Sequence, residues 1–199
     1  SGLIAGTQKS ENNYHLVPSN PYVDGVFIPN GRTKQIVSSL GNIFSECPVT
    51  NGMCFNNIGY AMRSINTNRT TESGKLHRSI TIHSNIGITF DLDAIRKMMP
   101  ETKTIHFQSQ VGIESMPSRP KASNADFWVL VDGELKFSKT QVKHKSFYSV
   151  DVELSQSDRF LTLIVTDGGD PETRIIDGVT INAIDSDWGM FAEPVLIAE

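Results

Sequence analysis

Phe160-Leu-Thr-Leu-Ile-Val-Thr-Asp-Gly-Gly-Asp170 is the stretch on which the fold is decided. Leu161, Leu163 and Val165 alternate with Thr162 and Ile164. That period of two belongs to a β-strand with one strongly buried face. Gly168 and Gly169 follow, and a glycine pair lets the backbone turn through angles that a Cβ resists. Asp167 and Asp170 flank the turn, and a second acidic cluster, Asp185-Ser-Asp187-Trp188, lies about one hairpin further on. The spacing predicts that both clusters sit at one rim of a β-sandwich.

Working outward from that strand, the same alternation recurs. Ser146–Leu154 alternates before the turn at 155–158, and Asp126–Val131 is apolar on both parities, as in a strand covered on both faces. Asp132-Gly133 is a hairpin turn with Glu134–Phe137 as its return strand, and Asp177-Gly178 marks a second hairpin within 174–184. Thr104–Gly112 and Ser79–Phe90 alternate as well, the latter with Ile80, Ile82, Ile86, Ile88 and Phe90 on one parity. Glu193–Ile197 is the closing strand. Toward the N-terminus, Val23–Ile28 and Gln35–Leu40 read as short strands, while residues 63–78 are polar and hydroxyl-rich and read as a surface loop. Residues 91–99 form the one helical segment. Leu92, Ile95 and Met99 share a face, Asp91 is placed to cap the start, and Pro100 ends it. The sum is an all-β, antiparallel, jelly-roll-like sandwich with one short helix, read as a single domain over 1–199.

Composition narrows the function classes. The chain has 199 residues, 38% hydrophobic and 20% charged, enough for a sizeable core. A formal net charge of −4 lacks the basic excess that a nucleic-acid surface needs. No apolar run reaches the length of a membrane span. Cys47 and Cys54 flank an Asn51-Gly52 turn, so they are either a small disulfide loop or two separate thiols. Asn68-Arg-Thr70 fits the glycosylation triplet, which has meaning only in a eukaryotic secreted chain; otherwise the match is coincidental. The sequence lacks a Gly-x-Ser-x-Gly elbow, a His-Glu-x-x-His pair and a phosphate loop. A glycosidase needs two carboxylates held across a scissile bond, and no motif here pins such a pair.

Among single residues, Trp188 stands out. A tryptophan beside carboxylates can stack on the apolar face of a sugar while the acids bind its hydroxyls; alternatively it packs at the rim. Asp187, Asp185, His83 and Glu114 are the candidate hydrogen-bonding partners, with His83 equally readable as a satisfied histidine under a loop. Asp167 and Asp170 offer hard oxygen ligands for calcium, or simply cap backbone N–H groups. Trp128, between Phe127 and Val129, is a core residue.

The order of these pieces resembles one family. Leu161–Asp170, then Asp187-Trp188, then Ala192-Glu-Pro-Val-Leu196 are similar to the end of NPCBM modules, named as novel putative carbohydrate-binding modules. Upstream, Thr81-Ile-His-Ser84, Ile88-Thr-Phe-Asp-Leu92, Val111-Gly-Ile-Glu114 and the Phe127–Leu135 hairpin follow the family's order. The resemblance covers roughly residues 76–199. Two positions depart from it: Asp185 stands where the family carries a histidine, and Thr81 where it carries a glycine. The resemblance implies a non-catalytic module of a larger bacterial extracytoplasmic protein, secreted, periplasmic or on the cell surface. It implies a carbohydrate partner such as a galactose-containing glycan, and a structural calcium. A protein-interaction or architectural sandwich is the alternative, and a glycoside hydrolase the third class.

Overall fold

The structure, a computed structural model, describes residues 8–9, 13–29, 31, 34–50, 53–54, 58–64, 76–98, 100, 105–113, 119–169, 173–182 and 184–198. Its strands in chain order begin with β1 (Gln8–Lys9), β2 (Tyr14–Leu16), β3 (Val23–Phe27), β4 (Gln35–Ile36), β5 (Ile43–Phe44) and β6 (Ile58–Ser64). They continue with β7 (Leu76–His83), β8 (Ile86–Asp91), helix α1 (Leu92–Arg96), β9 (Ile105–Ile113), β10 (Ala125–Val131) and β11 (Glu134–Val142). β12 (Phe147–Leu154), β13 (Phe160–Thr166), β14 (Thr173–Ile176), β15 (Val179–Asn182) and β16 (Trp188–Ala198) complete the set.

Two antiparallel sheets face one another. The seven-stranded sheet has the order β1-β2-β3-β8-β13-β10-β11, and the five-stranded sheet the order β12-β9-β16-β7-β6. Two ribbons, β4-β5 and β14-β15, stand apart. The all-β sandwich expected from the alternation is therefore the observed architecture. Both Asx-Gly hairpins are present as read: Asp132 and Gly133 have φ of 49° and 87°, and Asp177 and Gly178 have 51° and 80°. Positive φ at both central residues matches the right-handed twist of the strands they join.

The main core lies between the sheets. Leu161, Leu163 and Val165 of β13 meet Phe127, Val129 and Val131 of β10, with Ile82, Phe107, Val111 and Phe191 in the same cluster. Ile82 and Ile86 face this core from opposite sheets, because the chain changes sheet at Ser84-Asn85. Ser79–Phe90 is thus two strands rather than one.

The expectation of a single buried face on β13 is corrected. Every residue of β13 is buried. Ile164 lies on the outer face with Trp128 and Leu130, under Tyr14, Phe27, Val37 and Phe44. The cover comes from the N-terminal third of the chain. β3 hydrogen-bonds along β8, and the β4-β5 ribbon crosses the sheet, where the Phe44 and Trp128 rings lie 5.6 Å apart. Thr162 is sealed in as well. Its hydroxyl lies 3.0 Å from that of Thr89, which donates to the Val37 carbonyl. Gly87 makes room for this layer, since a Cβ there would come within 2.2 Å of the Phe27 ring.

Other boundaries shift. Gln35–Leu40 is a strand only at Gln35–Ile36, and Ser38 to Leu40 form a bend and turn. The proposed loop 63–78 is strand at both ends, since β6 runs to Ser64 and β7 begins at Leu76. The helix is shorter than 91–99: it ends at Arg96, with Asp91 accepting from the Ala94 N–H at 3.0 Å as its cap. The closing strand is longer than 193–197; it starts at Trp188 and carries a bulge between Ala192 and Val195. Met99, the Asn51-Gly52 turn and the Asn68 triplet lie outside the described residues. Cys47 and Cys54 are not joined: Cys47 packs against the outer cluster and Cys54 against the main core. Among the described residues no helix is long and apolar enough to cross a membrane.

The outer cover makes a measurable prediction. Phe44→Ala removes a buried ring from the top of Trp128, and such truncations cost about 3–5 kcal/mol. Urea unfolding of the wild type is expected to be one transition, with the variant's midpoint falling accordingly. A cost under about 1 kcal/mol would show that the ribbon contributes little to the fold.

Candidate functional site

Four connecting segments meet at one end of the sandwich: Ser84-Asn85 between β7 and β8, Ser123-Asn124 before β10, Asp167–Gly169 after β13, and Ile184–Asp187 before β16. Polar side chains tie them together. Asn85 Nδ2 donates to Asp167 Oδ2 at 3.0 Å, and the Asp167 N–H donates back to Asn85 Oδ1 at 3.0 Å. The other Asp167 oxygen accepts from the Gly169 N–H at 3.0 Å. Gly168 and Gly169 have φ of 67° and 71°, the left-handed turn that the glycine pair implies.

The second acidic turn is stitched to the first. Asn124 donates its backbone N–H to Asp187 Oδ1 at 2.8 Å and its side-chain amide to the Gly168 carbonyl at 3.3 Å. Ser84 donates its N–H to the Asp187 carbonyl and its hydroxyl to the Thr166 carbonyl, both at 3.3 Å. The two aspartate-bearing turns therefore share one end of the molecule. Asp185 lies further out and binds the Arg119 guanidinium at 2.6 Å, while Ser186 accepts from the Arg119 N–H at 2.9 Å.

β16 and β7 bring Trp188 directly opposite His83. The indole and imidazole meet edge to face, with centroids 5.0 Å apart and planes at 79°. Trp188 is half-buried, His83 is 1% exposed, and Asp187 is fully buried. Burial pushes His83 down to about 4, although a hydrogen bond to the Ser84 carbonyl and the nearby Asp185 pull the other way. The ring is neutral at pH 7.

Of the residues singled out in the sequence, His83, Asp167, Asp185, Asp187 and Trp188 are gathered at this end. Glu114 and Asp170 lie outside the described residues; β9 ends at Ile113, which pairs with Gly189 beside Trp188. Asn85, Asn124 and Arg119 hold the turns together and carry no sequence signal beyond polar residues in a loop. For calcium, each Asp167 oxygen accepts one N–H donor, from Asn85 and Gly169, and keeps a second lone pair. Among the described residues no group of three or more His, Cys, Asp or Glu is arranged to hold a metal.

The fold and this convergence of turns define a β-sandwich with a loop-built rim at one end. A profile of the NPCBM/NEW2 domain matches residues 63–195, and the chain belongs to that family. A comparison with the curated proteins found no match. Among solved structures, the chain is similar to the tandem CBM51 modules of a family 98 glycoside hydrolase from Streptococcus pneumoniae, at 15% identity. That alignment covers 70% of this chain and 40% of that one, with a TM-score of 0.52. CBM51 from Clostridium perfringens GH95 in complex with methyl-galactose is 19% identical over 72% of this chain and 83% of that one, with a TM-score of 0.47. The structure of CBM51-2 in complex with GlcNAc and INT domains from Clostridium perfringens ZmpB is 17% identical over 98% and 40%, also at 0.47. The likeness to the tandem CBM51 modules is one of fold.

His83 gives the site a pH signature. Its folded-state value lies below the ordinary 6.5, so the unfolded chain takes up the proton first as pH falls. The associated stability is complete above about pH 6.5 and is lost progressively down to about pH 4, a change on the order of 3 kcal/mol. Urea midpoints of wild type and His83→Gln measured from pH 7.5 to 4.5 are expected to diverge, with the flatter profile in the variant. Parallel profiles would mean that His83 does not carry this dependence.

Proposed function

We propose that this domain is a non-catalytic carbohydrate-binding module of a bacterial extracytoplasmic protein, and that it takes a sugar at the rim beside Trp188. The observation that carries the reading is the half-buried indole, braced edge-on by His83 at the end where both acidic turns converge. A tryptophan face held rigid in this way presents apolar area to the C–H face of a sugar at little entropic cost. Asp185 keeps some exposure, 18% of its side chain, and supplies a carboxylate to sugar hydroxyls with Arg119 beside it. Glu114 would add a second acceptor, since the residue before it pairs next to Trp188. His83 and Asp187 are buried and serve the ligand by fixing the ring and the turn beneath it. Membership of the NPCBM/NEW2 family supports the same reading.

Trp188→Ala is expected to lower affinity for a galactose-containing glycan by at least about tenfold in titration calorimetry, equivalent to about 1.4 kcal/mol. The urea midpoint should move much less than for Phe44→Ala. A panel of glycans none of which binds the wild type would sink the proposal. The second reading, a protein-interaction sandwich, would then take its place; it is favoured by the exposed Ile175 and Val179 on the β14-β15 ribbon.

The 167–170 turn is held either by a calcium that Asp167 and Asp170 ligate or by Asp167 capping its own N–H groups. Thermal melts with added calcium and with EDTA decide between the two arrangements. A rise in Tm with calcium that EDTA reverses would place an ion there, and superimposable melts would leave Asp167 as a cap for its own turn.

A further inference from the structure

Away from Trp188, toward the far ends of β7 and β13, the two sheets leave a pocket of about 250 Å³ between them. Ile80, Phe107 and Leu196 line it from the five-stranded sheet; Phe90, Leu161 and Leu163 line it from the seven-stranded sheet. Ile95 of α1 and the Pro194-Val195 bulge complete the lining, and Val195 is 43% exposed, so the space communicates with water. The helix wall is fixed in place: Arg96, next to Ile95, donates to the carbonyls of Ser155 and Asp158.

Every described lining residue is apolar. Native cores are filled nearly to crystal density, and an empty apolar space lowers stability in proportion to its volume. A polar guest would lose its hydrogen bonds to water and find none here. The guest that fits such walls is hydrocarbon, and this volume exceeds the apolar cavity of about 150 Å³ known to take up benzene. Facing sheets stand only about 10 Å apart, so the guest lies in a single layer, as an extended chain of about eight carbons does. One charged residue lies close by along β7. Arg78 follows the same face of β7 two residues before Ile80, toward the strand's outer end, and is exposed. Among the described residues its guanidinium is in no ion pair, and the nearby Glu193 carboxylate accepts the Arg78 backbone N–H at 3.3 Å.

We propose that this pocket binds the chain of a medium-length, unbranched alkanoate, with its carboxylate at Arg78. The site is separate from the Trp188 rim and does not depend on the sugar-binding reading.

The test is a titration of octanoate into the full chain, followed by methyl NMR shifts of Ile80, Ile95, Leu161 and Leu196. Shifts confined to these and the other lining methyls, Leu163 and Val195, with saturation, are expected. Val195→Trp and Leu196→Phe each fill the mouth or the wall and are expected to abolish the shifts; thermal melts identify any variant that fails to fold. Arg78→Gln is expected to weaken octanoate by about tenfold, the scale of one charge-assisted hydrogen bond, while octanol binding stays unchanged. Trp188→Ala should leave octanoate binding intact. Absence of saturable shifts up to millimolar octanoate, or binding that survives both filling variants, overturns the pocket assignment. An Arg78→Gln variant that binds octanoate as the wild type does overturns the placement of the carboxylate.

Discussion

Strand β13 has no side in contact with water, and the rest of the molecule is built around keeping it so. Its odd-numbered residues need an opposing sheet, which β7, β9 and β16 provide. Its even-numbered residues need a second cover, which the chain supplies from Tyr14 to Phe44 before the strand itself has been made. Each large apolar side chain sealed in this way contributes about 1.5–3 kcal/mol. Two hydroxyls of the strand are caught on the outer face, and neither meets water: Thr162 meets the Thr89 hydroxyl, and Thr166 accepts from the Trp128 indole N–H at 3.0 Å. A buried donor left without a partner would have offset much of that gain.

The same need for satisfied polar groups explains the rim. Asp167 and Asp187 are carboxylates with almost no exposure; Asp167 accepts from the Asn85 amide and from the Gly169 N–H of its own turn, and Asp187 from the Asn124 N–H. Charge-assisted hydrogen bonds of this kind position four connections relative to one another. Trp188 then stands at the edge of a rigid frame rather than on a mobile loop, and its orientation is inherited from the strand pairing with His83.

Much of this plan is legible in the residues because it follows from local chemistry. Alternation marks β12 and β13, and an unbroken apolar run marks β10; Asp-Gly pairs mark both hairpins; Asp91 marks the helix start. What alternation does not reveal is which face a later layer will cover. Thr162 reads as solvent-facing because threonine tolerates water, and only Phe27, Val37 and Phe44, more than a hundred residues away, make it otherwise. Similarly, Ser84-Asn85 gives no turn signal strong enough to show that the chain changes sheets there. The gathering of His83, Asp185, Asp187 and Trp188 is legible as an acidic aromatic cluster. The parts played by Arg119 and Asn124 are not, since long-range pairing of loop amides leaves no periodic trace.

The layer over the outer face separates two kinds of boundary. Similarity to the family begins at residue 63, yet the rings that shelter Trp128, Leu130 and Ile164 come from residues before it. A fragment cut where kinship starts would keep the ancestral strands and bare a greasy flank, inviting self-association. Heredity and solubility draw their lines at different places in this chain.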